Sequence, residues 1–166
     1  MSKKYLIAFE GIDGSGKTTQ IKILTASLVL SGISAAPFGR RFLFKRALLA
    51  DVLLLDRYKA SWMGYAKHDP RFSFLKPLVR ALREPDFTIY FRLDPNLAYQ
   101  RILTRQKKPE RLESLEYLKI FSRDFEEGFQ GKSNVLIVDA TLPPEEIARL
   151  IKVNLPVEAY TQAQMK

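Results

Sequence analysis

The chain has 166 residues, 46% of them hydrophobic, enough for one domain with a substantial core. It has no cysteine, which excludes disulfides and thiolate metal sites, and no run nears the ~18 apolar residues of a membrane span. Lys and Arg number 27 against 18 Asp and Glu, a net +9 that suits either nucleic acid or a small polyanionic substrate. Met1-Ser2-Lys3-Lys4 leads directly into apolar residues with no room for a leader, so a soluble cytoplasmic protein is expected.

Tyr5 to about Glu10 reads as a buried strand. Residues 11–18, Gly-Ile-Asp-Gly-Ser-Gly-Lys-Thr, then fill the phosphate-loop pattern G-x-x-x-x-G-K-[ST]. A helix follows from about Lys17 to Ser31, with Ile21, Leu24 and Leu28 on one face and Gly32 at its end. Ile33–Pro37 can form a short second strand and Arg41–Ala50 a short helix; Val52–Leu55 is a third strand, ending in Asp56. Helices are predicted over Ser61–Lys67 and Phe74–Arg83, with Pro77 either starting or breaking the second.

Thr88–Leu93 is the fourth strand, and Asp94-Pro95 supplies an N-cap and a first-turn proline for a helix reaching about Arg105. Leu118, Phe121, Phe125 and Phe129 line a long helix, Val135–Val138 is the fifth strand, and Pro143–Val153 is a closing helix with Ile147, Leu150 and Ile151 inward. The tail from about 156 is polar and expected to be loose. Apolar strands alternating with amphipathic helices imply an α/β sandwich, a parallel sheet covered on both faces, in a single domain over residues 1–166.

A strand, glycine loop and helix in this order aim backbone N–H groups at one anion, at the positive end of a helix dipole. Gly11, Ile12, Asp13, Gly14, Ser15, Gly16, Lys17, Thr18 and Thr19 are therefore expected to hold the phosphates of a nucleoside triphosphate. Lys17 adds a cation for the migrating group, and Thr18 offers a hydroxyl to Mg²⁺. Asp56, at a strand's carboxyl end, is the partner expected for that metal, or else a turn aspartate. Arg57 suits clamping an acceptor phosphate, or else a surface ion pair. His68 has no second histidine or cysteine near it in sequence and reads as a surface turn residue.

Four further segments carry a resemblance. Asp56-Arg57-Tyr58-Lys59-Ala60-Ser61-Trp62-Met63-Gly64-Tyr65 resembles the D-R-Y-x-x-S-x-x-[AG]-Y element of thymidylate kinases. Pro85 to Asp94 is similar to their P-D-x-x-I-x-L-x-[LV]-D strand. Arg105 to Glu113 resembles their lid, R-x-x-x-D-R-x-E, with Glu110 where Asp is usual, and Val138 to Glu146 resembles the loop that meets adenine.

The resemblance implies a P-loop phosphotransferase with strand order 2-3-1-4-5, ATP as donor, Mg²⁺ as cofactor, a nucleoside monophosphate such as dTMP as acceptor, and a homodimer. It puts Ala140 and Thr141 at adenine, and Asp13, Ser61 and Tyr65 beside Arg57 at the acceptor, although Asp13 could instead shape its turn and Tyr65 pack in the core. Gly14 occupies the position where some members carry a loop arginine, which assigns the catalytic cation to the lid (about 105–113), among Arg105, Lys107, Lys108 and Arg111. Those four could instead form a basic surface loop.

The pattern departs from the family on the acceptor side. Only 36 residues, 20–55, separate Thr19 from Asp56, fewer than is usual. Arg40, Phe44 and Arg46 stand as remnants of the acceptor loop and helix that this stretch normally carries. Trp62 lies where a small or polar residue is more common. Two other readings stand beside the leading one: a kinase of deoxynucleosides or another small acceptor on the same scaffold, and a nucleotide-binding protein of weak or no turnover. Nucleic acid is the less favoured partner.

Overall fold

A computed structural model of the chain describes residues 4–38, 50–105 and 108–156. The five strands are β1 (Tyr5–Glu10), β2 (Ala35–Phe38), β3 (Val52–Asp56), β4 (Phe87–Arg92) and β5 (Val135–Asp139). All neighbours pair in parallel, in the order β2-β3-β1-β4-β5. This is the expected α/β sandwich and strand order. Parallel strands need long crossovers, and the helices supply them: α1 (Lys17–Leu30), α2 (Lys59–His68), α3 (Lys76–Ala81), α4 (Pro95–Arg105), α5 (Leu115–Phe129) and α6 (Pro144–Asn154).

Right-handed crossovers place α1 on one face and the connections from β3 to β4 and from β4 to β5 on the other. Accordingly α1 packs against α6, and α5 packs against β4, α2 and α4. Ile7, Phe9, Leu54, Ile89 and Phe91 in the central strands are completely buried. Because β1 is covered on both sides, nearly all of it is apolar, and its one charged residue, Glu10, marks where the strand meets the cleft.

Helix α1 ends in a Schellman arrangement, with Ile33 N–H on Leu28 O at 2.9 Å and Gly32 N–H on Val29 O at 3.0 Å. These bonds consume Ile33, so β2 begins at Ala35 and not at Ile33 as expected. Helix α4 opens with Asp94 Oδ1 accepting from Asn96 N and Leu97 N at 2.9 and 3.1 Å. The helix expected over Phe74–Arg83 is two pieces, a 3₁₀ helix over Pro70–Leu75 and the short α3, because Pro77 fits the first turn of a new helix and cannot continue an old one. Leu118, Phe121, Phe125 and Phe129 all turn inward, as do Ile147 and Ile151, whereas Leu150 is half-buried. The helix expected over Arg41–Ala50 lies outside the described residues except for Ala50, as do Arg40, Phe44, Arg46, Lys107 and the tail beyond Pro156. No helix among the described residues is long and apolar enough to cross a membrane.

Candidate active site

The carboxyl ends of β1 and β3 lie side by side, Phe9 in register with Asp56, and each releases a turn into the same cleft. From β1 comes the loop over residues 11–16, shaped by backbone crowding. A Cβ at Gly14 would lie 2.8 Å from the Ala98 carbonyl oxygen of α4, and φ there is +82°. No side chain, arginine included, fits that position without moving α4.

Lys17, the first residue of α1, is buried, and its Nζ donates to Ile12 O at 2.8 Å and Ser15 Oγ at 3.2 Å. Burial, aided by the Arg57 charge, pushes its pKa down to about 7. Next to it Thr18 Oγ1 donates to Asp56 Oδ2 at 3.0 Å. That pair of hard oxygens suits Mg²⁺, which takes one or two protein ligands and completes its octahedron with phosphates and water.

From β3 comes the turn carrying Arg57, the single non-glycine residue with positive φ among those described, at 68°. The conformation costs an L-residue about 1–2 kcal/mol, and several bonds impose it. Arg57 N donates to Phe9 O at 3.1 Å, Nη1 to Gly11 O at 3.0 Å and Ser61 Oγ at 3.2 Å, and Nη2 to Asp13 Oδ1 at 2.6 Å. The guanidinium stands 5.7 Å from the Tyr65 ring centroid. Burial opposes ionisation of Asp13, but Arg57 and Lys17 outweigh it and hold the carboxyl below its ordinary range. Burial also pushes the Tyr65 phenol up to about 12, so it stays neutral.

Beneath this turn lies Glu10, 1% exposed. Its Oε1 accepts from Tyr58 N at 3.0 Å and Ser61 N at 3.3 Å, and its Oε2 accepts from Ser61 Oγ. The carboxylate thus caps the N-terminus of α2, a helix whose own N-cap residue, Tyr58, provides no side-chain bond. Burial nevertheless raises the Glu10 pKa.

The far wall is built from α4, the 3₁₀ turn Arg111–Glu113 and the β5–α6 loop. Arg105 Nη2 donates to Glu113 Oε1 at 3.1 Å, and its charge reaches Asp13. Glu113 Oε2 also accepts from Glu110 N at 2.8 Å, closing a capping box. Arg101 Nη1 bridges Ala140 O at 3.0 Å and Gly14 O at 3.4 Å, and Gln20 Nε2 donates to Pro144 O at 2.8 Å. Thr141 N and Oγ1 donate to Asp139 Oδ1 at 2.8 and 2.7 Å.

The structure therefore brings Gly11–Thr18, Asp56, Arg57, Ser61, Tyr65 and Arg105 around one cleft, with Ala140 and Thr141 on its flank. Arg111 sits elsewhere, against the end of α2, where its Nη2 donates to Tyr117 Oη at 3.0 Å. The Ser61 hydroxyl serves Glu10 and Arg57. His68 is no surface turn residue: it ends α2 half-buried, with Nε2 2.6 Å from Asp124 Oδ2, because α5 packs across that corner. The sequence reading assigned no role to Glu10. The one available signal for Glu10 was a lone carboxylate ending an apolar strand.

The thymidylate kinase family profile matches residues 42–151. A thymidylate kinase of Leptospira interrogans is 31% identical over 158 residues, covering 70% of this chain and 78% of the relative. One from Danio rerio is 28% identical, covering 89% and 87%. Among solved structures, a deoxyadenosine kinase from M. mycoides with the products dCMP and a flexible dCDP bound shares the fold, with TM-score 0.66 at 20% identity over 90% of this chain and 98% of that one. On profile and sequence together, this chain belongs to the thymidylate kinase family.

Proposed function

We propose that this chain transfers the γ-phosphoryl group of ATP to a nucleoside monophosphate, with dTMP the leading acceptor, releasing ADP and the diphosphate. The observation that carries the reading is the meeting of a phosphate loop with a second, guanidinium-bearing turn at adjacent strand ends, joined by the Arg57–Asp13 bond. One turn suits a triphosphate and the other a monophosphate, so two substrates can face each other in line. An acceptor phosphate oxygen forms the new bond to Pγ as the bond from Pγ to the departing ADP oxygen breaks.

Mg²⁺, held by Thr18 and Asp56, would supply charge neutralisation on the donor phosphates. Lys17 and the loop N–H groups of Gly11–Thr19 hold those phosphates, and Ala140 and Thr141 flank the donor base. Arg57 fixes the acceptor phosphate. Asp13 and Tyr65 line the acceptor sugar, where the ring disfavours a 2′-hydroxyl, and Ser61 fixes Arg57. Arg105, whose charge reaches Asp13, is the lid cation assigned to the transferred group. A homodimer belongs to the same proposal: Phe74 and Leu78 are 73% and 63% exposed, large apolar groups that a second copy could cover, and sedimentation tests it.

A coupled ADP-release assay over dTMP, dUMP, dCMP, UMP and the free deoxynucleosides tests the reading. Monophosphates should outperform nucleosides, with a shallow preference among bases, because base discrimination needs buried polar partners and the stretch over residues 20–55 is short. Turnover of nucleosides alone would favour the deoxynucleoside reading. ATP binding without turnover on any acceptor would refute the proposal.

A further inference from the structure

One carboxylate at the edge of this site has no part in holding either nucleotide, yet it is fully enclosed. Asp69 follows the last residue of α2, and its side chain has no exposed surface. Its Oδ1 accepts from Arg71 N at 3.0 Å, and the Arg71 side chain grips both oxygens, Nε at 3.2 and 3.1 Å and Nη2 at 2.7 Å. The Arg71 side chain above all holds the carboxyl below its ordinary range, so it is ionised. Against this negative centre stands a third group, Arg111 Nη1, 3.8 Å from Asp69 Oδ1.

Arg111 comes from the segment before α5, far from Asp69 in sequence. Its guanidinium also lies over the Tyr117 ring, 5.6 Å from the centroid, with Nη2 on the Tyr117 hydroxyl. From there a continuous packed path leads back to the acceptor turn. Tyr117 tilts against Phe121 at 5.9 Å between centroids, Phe121 meets Tyr65 edge-on at 5.2 Å, and Tyr65 lies under Arg57. The two helices that carry these rings are closely packed: a Cβ on Gly64 of α2 would press the Phe121 ring at 3.2 Å.

The two arginines flanking this segment are thus held differently. Arg105 pairs with Glu113 inside the segment, and Arg111 ties the segment to the end of the helix that carries the acceptor residues. Building on the kinase reading above, we propose that Asp69 is a positioning residue: through Arg111 it fastens the lid segment to α2, so that acceptor binding at Arg57 and donor binding under the lid strengthen each other. A coupling of this kind is reciprocal and is measured as a ratio of affinities.

The test titrates a non-hydrolysable ATP analogue with and without saturating dTMP by calorimetry. In the wild-type chain dTMP should tighten the analogue about fivefold or more, the usual lower range of site coupling. In Asp69→Asn that factor should fall below about twofold, with the affinity for dTMP alone unchanged. Arg111→Ala approaches the same contact from an exposed side chain, should abolish the coupling likewise, and serves if Asp69→Asn does not fold. The double variant should lose no more than either single one.

In parallel, trypsin cleavage after Arg111 in the nucleotide-free chain should speed up several-fold in Asp69→Asn, with cleavage after Arg149 unaffected. Coupling that survives both single variants, or unchanged cleavage after Arg111, overturns the proposal. A wild-type chain that binds no monophosphate refutes the acceptor assignment; the trypsin result then decides the fastening by itself.

Discussion

The loop over residues 11–16 and the turn over residues 56–58 leave adjacent strands, but they keep their shapes by different means. The loop is shaped mainly by main chain: Gly11 and Gly14 fit against the backbone of β4 and α4, with no space for a Cβ at either. The turn is shaped chiefly by side chains from distant parts of the chain, with Glu10 capping α2 and Asp13 receiving the Arg57 guanidinium. A main-chain cradle accepts any phosphate that fits its N–H groups. A side-chain turn can be retuned by single substitutions. Donor binding should therefore be robust and acceptor binding adjustable within one cleft.

Substitutions can break that contrast, beginning with the largest effect. Lys17→Met should slow turnover by roughly a hundredfold or more, since a transition-state cation supplies a few kcal/mol, with little loss of stability. Near-normal turnover in a steady-state assay would remove Lys17 from the mechanism. Arg105→Ala should lower kcat by about tenfold and leave the KM for ATP within about twofold, as expected of a contact made mainly in the transition state. The reverse pattern would make it a simple binding residue.

Glu10→Ala should act on the acceptor side alone. It leaves the Tyr58 and Ser61 donors without their acceptor, at a cost of about 1–3 kcal/mol of stability read from denaturant melts. The KM for the monophosphate should rise several-fold while that for ATP holds; an equal rise in both would show that the two sides are not separable.

The smallest effect is one of pH. Only protonated Lys17 attracts phosphate, and its pKa is near 7, whereas a bound triphosphate pulls it back up. ATP affinity should therefore weaken about threefold between pH 6.5 and 7.5, with proton uptake on binding above about pH 7. Calorimetry in buffers of different ionisation enthalpy measures that uptake. Proton release, or none, would mean that Lys17 remains fully charged in the free chain.

The strands and the phosphate loop were legible because both are local, whereas the order of the strands in the sheet came from the family resemblance. Apolar runs bounded by turn residues show strands, and eight consecutive residues show the loop. Asp56 and Arg57 were legible as the end of β3 for the same reason. Glu10 was not, because its partners Tyr58 and Ser61 are about fifty residues away and no spacing rule relates them. The position of Arg111 failed similarly. A basic run says nothing about which member meets an enclosed aspartate from another helix and which meets Glu113. His68 was misread because a partner on α5 is invisible from its neighbours in sequence.

Arg101 and Gln20 join the phosphate loop and its helix to the loop between β5 and α6. In engineering terms the two loops are one module. A graft meant to change the preferred donor base that altered the length or backbone path of residues 140–144 would also displace the Ala140 and Pro144 carbonyls that hold Arg101 and Gln20. The phosphate cradle would lose its bracing at the same stroke. Base preference and transfer rate should therefore change together in such chimeras, and restoring one without the other should require residues from α1 and α4 to travel with the graft.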